Sequence, residues 1–283
     1  MPAPKIDWNG QADFYSSFVF TELDDTRVFL DAIDVREGDT FLDVCCGPGR
    51  VSVLAAERGA RVIGVDSAGK MLEHARENAR IMGVADRCDF RLLDWNHVMP
   101  GQNLEKADVV MASRCGAIMD VEKLSALANR IVAIQIFANA PSIPMLLDVL
   151  FSGCKKPGMP ERPGPAPTGG PGMPPGPAPT GRPGGPPMGR PDGPDAKKAI
   201  YLAIAEKAFN AGYDPNIRIF PERFRRTFAD ADQALKWVCS LRKDRAEGFE
   251  DRVALNIRPF LKPVDGGLEF CIATKAAIIW WNV

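Results

Sequence analysis

Histidine is scarce in this sequence: 283 residues contain two, His74 and His97. None of the seven cysteines, at 45, 46, 88, 115, 154, 239 and 271, forms a C-x-x-C pair. Their number is odd and their spacing irregular, which excludes a zinc ribbon and a disulfide framework and leaves no expected metal site. Neither sign of charge dominates, with 35 basic against 36 acidic residues and a net charge of -1. A protein built to grip a polyphosphate carries a basic face, so this balance argues against a nucleic-acid partner. No apolar run approaches the roughly 20 residues that span a bilayer. The first residues, "MPAPKIDWNG", lack the apolar stretch of a secretory signal. These absences together predict a cytoplasmic protein with reduced thiols and no membrane partner.

What is present is enough apolar sequence, 46% of the chain, for one sizeable core. One segment stands apart. Residues 157–194 contain 26 Gly or Pro in 38 positions, with "PGMP" at 157 and 171 and "GPAPTG" at 164 and 176. Such a stretch has almost nothing to bury against its ordering entropy. It reads as a semi-extended spacer, or as a docking segment for a proline-recognising partner. The expected organisation is an N-terminal helical lid (1–37), one folded domain (38–154 and 196–283) and the Pro/Gly-rich insert (155–195).

Strands and helices alternate before the insert. "TFLDV" (40–44), "RVIGVD" (61–66), "CDFRLLD" (88–94), "ADVVMAS" (107–113) and "RIVAIQIF" (130–137) read as short strands. Between the first three, "VSVLAAERG" (51–59) and "SAGKMLEHARENARIMG" (67–83) carry apolar residues at helical spacing and close on Gly59 and Gly83. A helix is expected over 121–129, and after the insert over 196–212 and 230–242, with strands at 216–220 and 268–281. Alternation of this kind builds an α/β fold, a doubly wound sheet of about seven mostly parallel strands with helices on both faces. No separate second domain is expected.

Ligands of such sheets bind beyond the carboxyl ends of the strands. The first strand there runs into a glycine turn, "FLDVCCGPGR" (41–50). Gly47 and Gly49 let the chain turn sharply and let a ligand touch the backbone without meeting a Cβ. A dinucleotide site needs G-x-G-x-x-G, but Ser52 stands at the third glycine position. Asp43, at the strand end, is wrong beside a pyrophosphate and right beside a cation. On this motif the chain resembles the class I S-adenosylmethionine-dependent methyltransferases, with Cys45 where their first glycine is usual. The resemblance covers roughly residues 38–137 and implies a Rossmann-like domain with S-adenosyl-L-methionine as its cofactor. Cys45 then faces the cofactor, and Cys46 is a small core residue. Asp66, ending "VIGVD", is implied to accept the ribose hydroxyls. Ser67 and Met71 flank the adenine; Asp94 and Trp95 of "FRLLDW" contact it. Asp43, Gly47, Gly49 and Ser113 complete the implied cofactor set.

The chemistry implied is in-line transfer of a methyl group, which needs proximity and alignment more than a general base. Three residues are expected near the reacting atoms: Tyr15 from the aromatic leader, Arg114 at the end of the fourth strand, and His97 in "DWNHV" as the candidate base. Arg114 is expected to pair either with an anionic substrate group or in a surface salt bridge. The fourth strand ends in "ASRCG" rather than the N/D-P-P-Y/F tetrad of methylases that act on bases. The expected acceptor is therefore a small molecule. Methylation of a protein or RNA, and a non-catalytic cofactor-binding role, are the alternatives. "FPERFRRTF" (220–228), with Arg223, Arg225 and Arg226, is expected as a cleft-covering hairpin or a solvated basic edge.

Overall fold

The computed structural model describes residues 7–19, 23–138, 149–154, 194–242 and 248–283. The Pro/Gly-rich insert, apart from Pro194 and Asp195, lies outside the described residues, as do the first six residues.

Five parallel strands form the centre: β1 (Thr40–Val44), β2 (Arg61–Asp66), β3 (Cys88–Leu92), β4 (Ala107–Ser113) and β5 (Ala128–Phe137). Two long strands, β6 (Asn216–Phe228) and β8 (Gly267–Asn282), and a short β7 (Leu261–Val264) complete an eight-stranded sheet of order β3-β2-β1-β4-β5-β8-β6, with β7 on β8. β8 runs antiparallel to β5, β6 and β7. β1 is buried at four of its five positions, which explains its unbroken apolar reading: it is covered on both faces.

Three helices cover one face: α2 (Leu23–Ala32), α3 (Arg50–Glu57) and α4 (Gly69–Ile81). On α4 the buried residues are Met71, Leu72, Ala75 and Ala79, a single stripe at helical spacing. The other face is covered by α5 (Val121–Leu127) and α6 (Pro194–Asn210), around Ile134, Ile279 and Trp281. Helix α1 (Trp8–Val19) packs against α4. Its Asn9 Oδ1 accepts from the Lys70 amide at 3.0 Å and its Asp13 pairs with His74 at 2.8 Å. Of the N-terminal helices only α1 stands over the strand ends; α2 is part of the core, with Phe29 and Leu30 buried.

The C-terminal part is larger than its sequence suggests. β6 does not stop at Phe220 but continues through Pro221 to Phe228. It is an edge strand, where a proline costs no ladder hydrogen bond that matters. Phe220, Glu222, Phe224 and Phe228 alternate inward, and the stretch expected as a separate hairpin is this continuation. The β5 ladder on β8 ends at Phe137 and Ala276, so Pro221–Phe228 and Gly267–Lys275 project past it, with β7 on the far edge of β8, as an arm on the ligand side of the sheet. Helices α7 (Ala231–Ser240) and α8 (Phe249–Ile257) cover the arm with a core of their own, including Phe224, Val238, Phe249 and Phe270. The arginines expected over the cleft serve the arm. Arg225 pairs with Asp24 at 2.8 Å, the Arg223 amide donates to Asp25, and Arg226 stacks over Trp237 and Phe228.

Candidate functional site

A cleft of about 350 Å³ opens beyond the carboxyl ends of β3, β2, β1 and β4. That size suits a nucleoside-sized ligand. Each strand end supplies part of the wall: Cys45 and Gly47 after β1, Asp66, Ser67 and Met71 after β2, Asp94, Trp95 and Asn96 after β3, Ser113 to Ala117 after β4. Trp8 and Tyr15 of α1 close it from above, their rings edge-to-face at 5.6 Å. Of the thirteen residues expected at the site, ten line this cleft. The exceptions are Asp43, Gly49 and His97.

The turn after β1 is held by the acid at the end of β2. The Gly47 amide donates to Asp66 Oδ2 at 2.9 Å, and the Ala68 amide donates to Oδ1 at 2.9 Å. Burial raises the Asp66 pKa, against the amides of Ala68, Gly47 and Ser67, which favour its charged form. Gly47 has φ of +56°, and a Cβ there would point at the Tyr15 ring, 3.7 Å away, across the cleft floor. Gly49 works differently: with φ of +81° it brings the turn against α4, where a Cβ would sit 3.1 Å from that of Ala75. It shapes the turn without facing the cleft.

Asp43 lies behind the turn rather than in the cleft. It is 1% exposed and accepts from Ser52 Oγ at 2.6 Å. Burial pushes its pKa up to about 7, opposed by the Ser52 hydrogen bond and by Arg50 nearby. Ser52 thus has a partner that explains why a hydroxyl replaces the third glycine. His97, the expected base, is exposed and does not line the cleft; its carbonyl accepts from Asn103 Nδ2.

Arg114 does border the cleft, but its guanidinium is engaged by an acid. The side chain is 6% exposed and forms an ion pair with Glu222 of the arm, itself 2% exposed. It also lies 4.1 Å from the centroid of Phe137. Of the two expected pairings the structure shows the salt bridge, buried rather than at the surface; pairing with an anionic acceptor would require breaking it. Among the lining residues Asp66, Asp94 and Asp120 are acidic and Arg114 alone is cationic, with its charge already met. The cleft therefore favours a cation and disfavours a pyrophosphate.

Sequence reasoning missed Asn96, Cys115, Gly116, Ala117 and Asp120. Asp120 accepts from Trp95 Nε1 at 2.6 Å and fixes the indole. Its signal was an acid just ahead of a helical pattern, which reads as a cap. Cys115 was hidden because the loop after β4 has no spacing rule; its thiol reaches the Val44 carbonyl at 3.8 Å. The neighbouring Cys45 thiol shares a hydrogen bond with it, which, with burial, pushes the Cys45 pKa up and keeps that thiol protonated. Cys46 is 8% exposed and belongs to the core, as expected. Among the described residues no group of three or more His, Cys, Asp or Glu could hold a metal ion.

The order of strands, the glycine turn and the acids at successive strand ends define a methyltransferase domain of the class I, S-adenosylmethionine-dependent superfamily. Residues 36–139 match the model of a family described as "Methyltransferase domain", and it is this segment that carries the methyltransferase domain. A candidate ribosomal RNA large subunit methyltransferase from Methanocaldococcus jannaschii is 39% identical over 95 residues, 32% of this chain and 24% of that protein. A ribosomal protein L11 methyltransferase from Alteromonas mediterranea is 42% identical over 87 residues, 30% of this chain and 27% of that protein. An RNA methyltransferase from Salinibacter ruber, crystallised with S-adenosyl-L-homocysteine, has 26% identity and a TM-score of 0.34, covering 40% of this chain and 72% of that one. The chain spans about a quarter of the length of the curated relatives it matches. The ribosomal RNA relative corrects one expectation. Balanced net charge does not argue against nucleic acid, because a chain with no overall excess can still meet RNA through one module, and the restriction to a small-molecule acceptor falls with it.

Proposed function

We propose that the chain transfers a methyl group from S-adenosylmethionine to an acceptor of the translation apparatus, with RNA as the first candidate. The observation that carries the first half is the cleft: nucleoside-sized, bordered by three carboxylates, and with no uncommitted cation for a phosphate among its described lining residues. Asp66 and Asp94, at the ends of adjacent strands, would hold the ribose and the base, Trp95 would pack beside the base, and Gly47 would let the amino-acid end lie against the backbone. The bound cofactor supplies an electrophilic methyl on a sulfonium. This chain's residues bind, orient and shield, and Tyr15 and Trp8 of α1 exclude water from above. The RNA half rests on the ribosomal RNA relative; the ribosomal-protein methyltransferase supports a protein acceptor as the second reading.

The test is a thermal-shift and calorimetric panel with S-adenosylmethionine, S-adenosylhomocysteine and NAD. The first two should bind. Ligand at 100 times its dissociation constant adds about 2.7 kcal/mol of stability. Asp66→Ala removes the acceptor of the Gly47 amide as well as the proposed ribose contact, and should abolish the shift. Binding of NAD alone would sink the reading. Tritiated methyl donor with deproteinised ribosomal RNA, and separately with ribosomal proteins, decides the acceptor.

A further inference from the structure

Behind the wall that β4 contributes to the cleft lies a chain of buried polar groups joining four parts of the fold. Arg50, the first residue of α3 after the glycine turn, donates through Nη2 to Gln135 Oε1 at 2.9 Å and to Ser113 Oγ at 3.1 Å, and through Nη1 to Thr26 of α2. Ser113 Oγ donates to the same Gln135 oxygen at 2.8 Å. Gln135 Nε2 donates to Glu222 Oε1 at 2.9 Å, and Glu222 pairs with Arg114. Glu222 is thus the one arm residue in this chain, and it reaches the strand end that borders the cleft.

Arg114 carries a second oddity. Its φ is +51°, a left-handed conformation that a non-glycine residue adopts at a cost of about 1–2 kcal/mol. Such a conformation persists only where the surroundings hold it. Its amide donates to the Gln135 carbonyl at 2.9 Å, while its guanidinium is held by Glu222 against Phe137. Ser113, Arg114, Cys115, Gly116 and Ala117 form the cleft wall on the far side from Asp94, since β4 and β3 flank β1 and β2 in the sheet. A buried ion pair rarely contributes net stability, but it can select one arrangement over others.

We infer that Glu222 is a positioning residue: acting through Arg114, it fixes the 113–117 wall in the shape the acceptor half of the cleft requires. Resting on the methyltransferase reading, this makes the arm part of the machinery that sets acceptor geometry, while the cofactor half is set by β1, β2 and β3. The pair is needed for shape and not for folding.

The experiment compares the full-length wild type with Glu222→Gln, Glu222→Leu and the double variant Arg114→Met/Glu222→Leu. Amide hydrogen exchange, which needs no ligand, should quicken at least tenfold over 113–117 in Glu222→Gln, with 43–49 and 66–71 unchanged. S-adenosylhomocysteine affinity should stay within about threefold. Transfer to deproteinised ribosomal RNA should fall at least tenfold in kcat, with the KM for the methyl donor unchanged. Glu222→Leu leaves a buried cation unpaired and should melt lower. The double variant should recover its melting temperature but keep the fast exchange at 113–117. Unchanged exchange there, or equal acceleration everywhere, would overturn the inference, as would a double variant that regains slow exchange. Failure of the wild type to bind S-adenosylhomocysteine would sink the methyltransferase reading instead, leaving the ligand-free exchange to decide the role of Glu222.

Discussion

At the residue scale the site turns on two acids that read alike and sit differently. Asp43 and Asp66 both follow an apolar run near the carboxyl end of a strand, the first one residue before the end of β1 and the second ending β2, and both were expected at the cofactor. The structure puts Asp66 at the cleft with two backbone amides on it and Asp43 behind the turn with a hydroxyl on it. The difference is testable through pH. Asp43 has a pKa of about 7 in the folded protein, against 3.8 for the free side chain. The folded state therefore keeps a proton that the unfolded chain has released. Its contribution to stability is complete below about pH 4 and is lost as pH rises towards 7, at no more than about 1.4 kcal/mol per unit. Asp43→Asn keeps an oxygen for Ser52 and has no proton to lose. Denaturant titrations from pH 5 to 8 should show the wild type losing stability relative to Asp43→Asn across that range. A constant difference between the two would mean that Asp43 ionises normally. Asp66 is also raised by burial, and its charge adds to the rise at Asp43, so the difference between the two proteins includes that coupling.

At the element scale the parallel half was legible and the antiparallel half only in part: β8 lies within a residue of its expected bounds, while most of β6, β7 and α8 were not foreseen. β1 to β4 lie within two residues of their expected bounds because each is a short apolar run between a helix end and a glycine or acid. The cofactor-side residues followed, since they stand at strand ends whose order fixes their place. β6 was cut short at Phe220 because Pro221 and three arginines read as a break; the cross-strand neighbours that carry them come from β8, some fifty residues later, and no local pattern shows those. α8 and β7 went unseen for the same reason: their apolar residues meet only in the arm's core. The tight β2–β3 contact gives a test of the legible half. Gly64 pairs with Phe90, and a Cβ on it would lie 2.6 Å from that ring and 3.0 Å from Cys46 Sγ. Gly64→Ala should cost about 1–3 kcal/mol in urea unfolding. Adding Phe90→Leu should recover part of that loss, so that the two changes are less than additive. Full additivity would show that β2 and β3 can move apart freely.

At the scale of the whole molecule, the segment between Cys154 and Pro194 joins the arm's core, to which Leu150 and Phe151 belong, to the first residue of α6. Its composition, 26 Gly or Pro in the 38 positions from 157 to 194, offers little apolar surface for either core. If it is a spacer, shortening it changes only the entropy of closing the loop. That entropy grows as three-halves the logarithm of length, so cutting a loop threefold should add about 1 kcal/mol of stability. A Gly/Ser linker of about a dozen residues in its place should therefore raise the midpoint of urea unfolding slightly. It should also leave S-adenosylhomocysteine affinity within about twofold, because Gly47, Asp66, Asp94 and Trp95, proposed to hold the cofactor, all belong to the first 95 residues. A loss of more than about 2 kcal/mol would mean that the segment packs on the fold after all. If transfer to RNA or to a ribosomal protein fell while cofactor affinity held, the segment would belong to acceptor recognition. That is the side of the molecule on which the arm already stands.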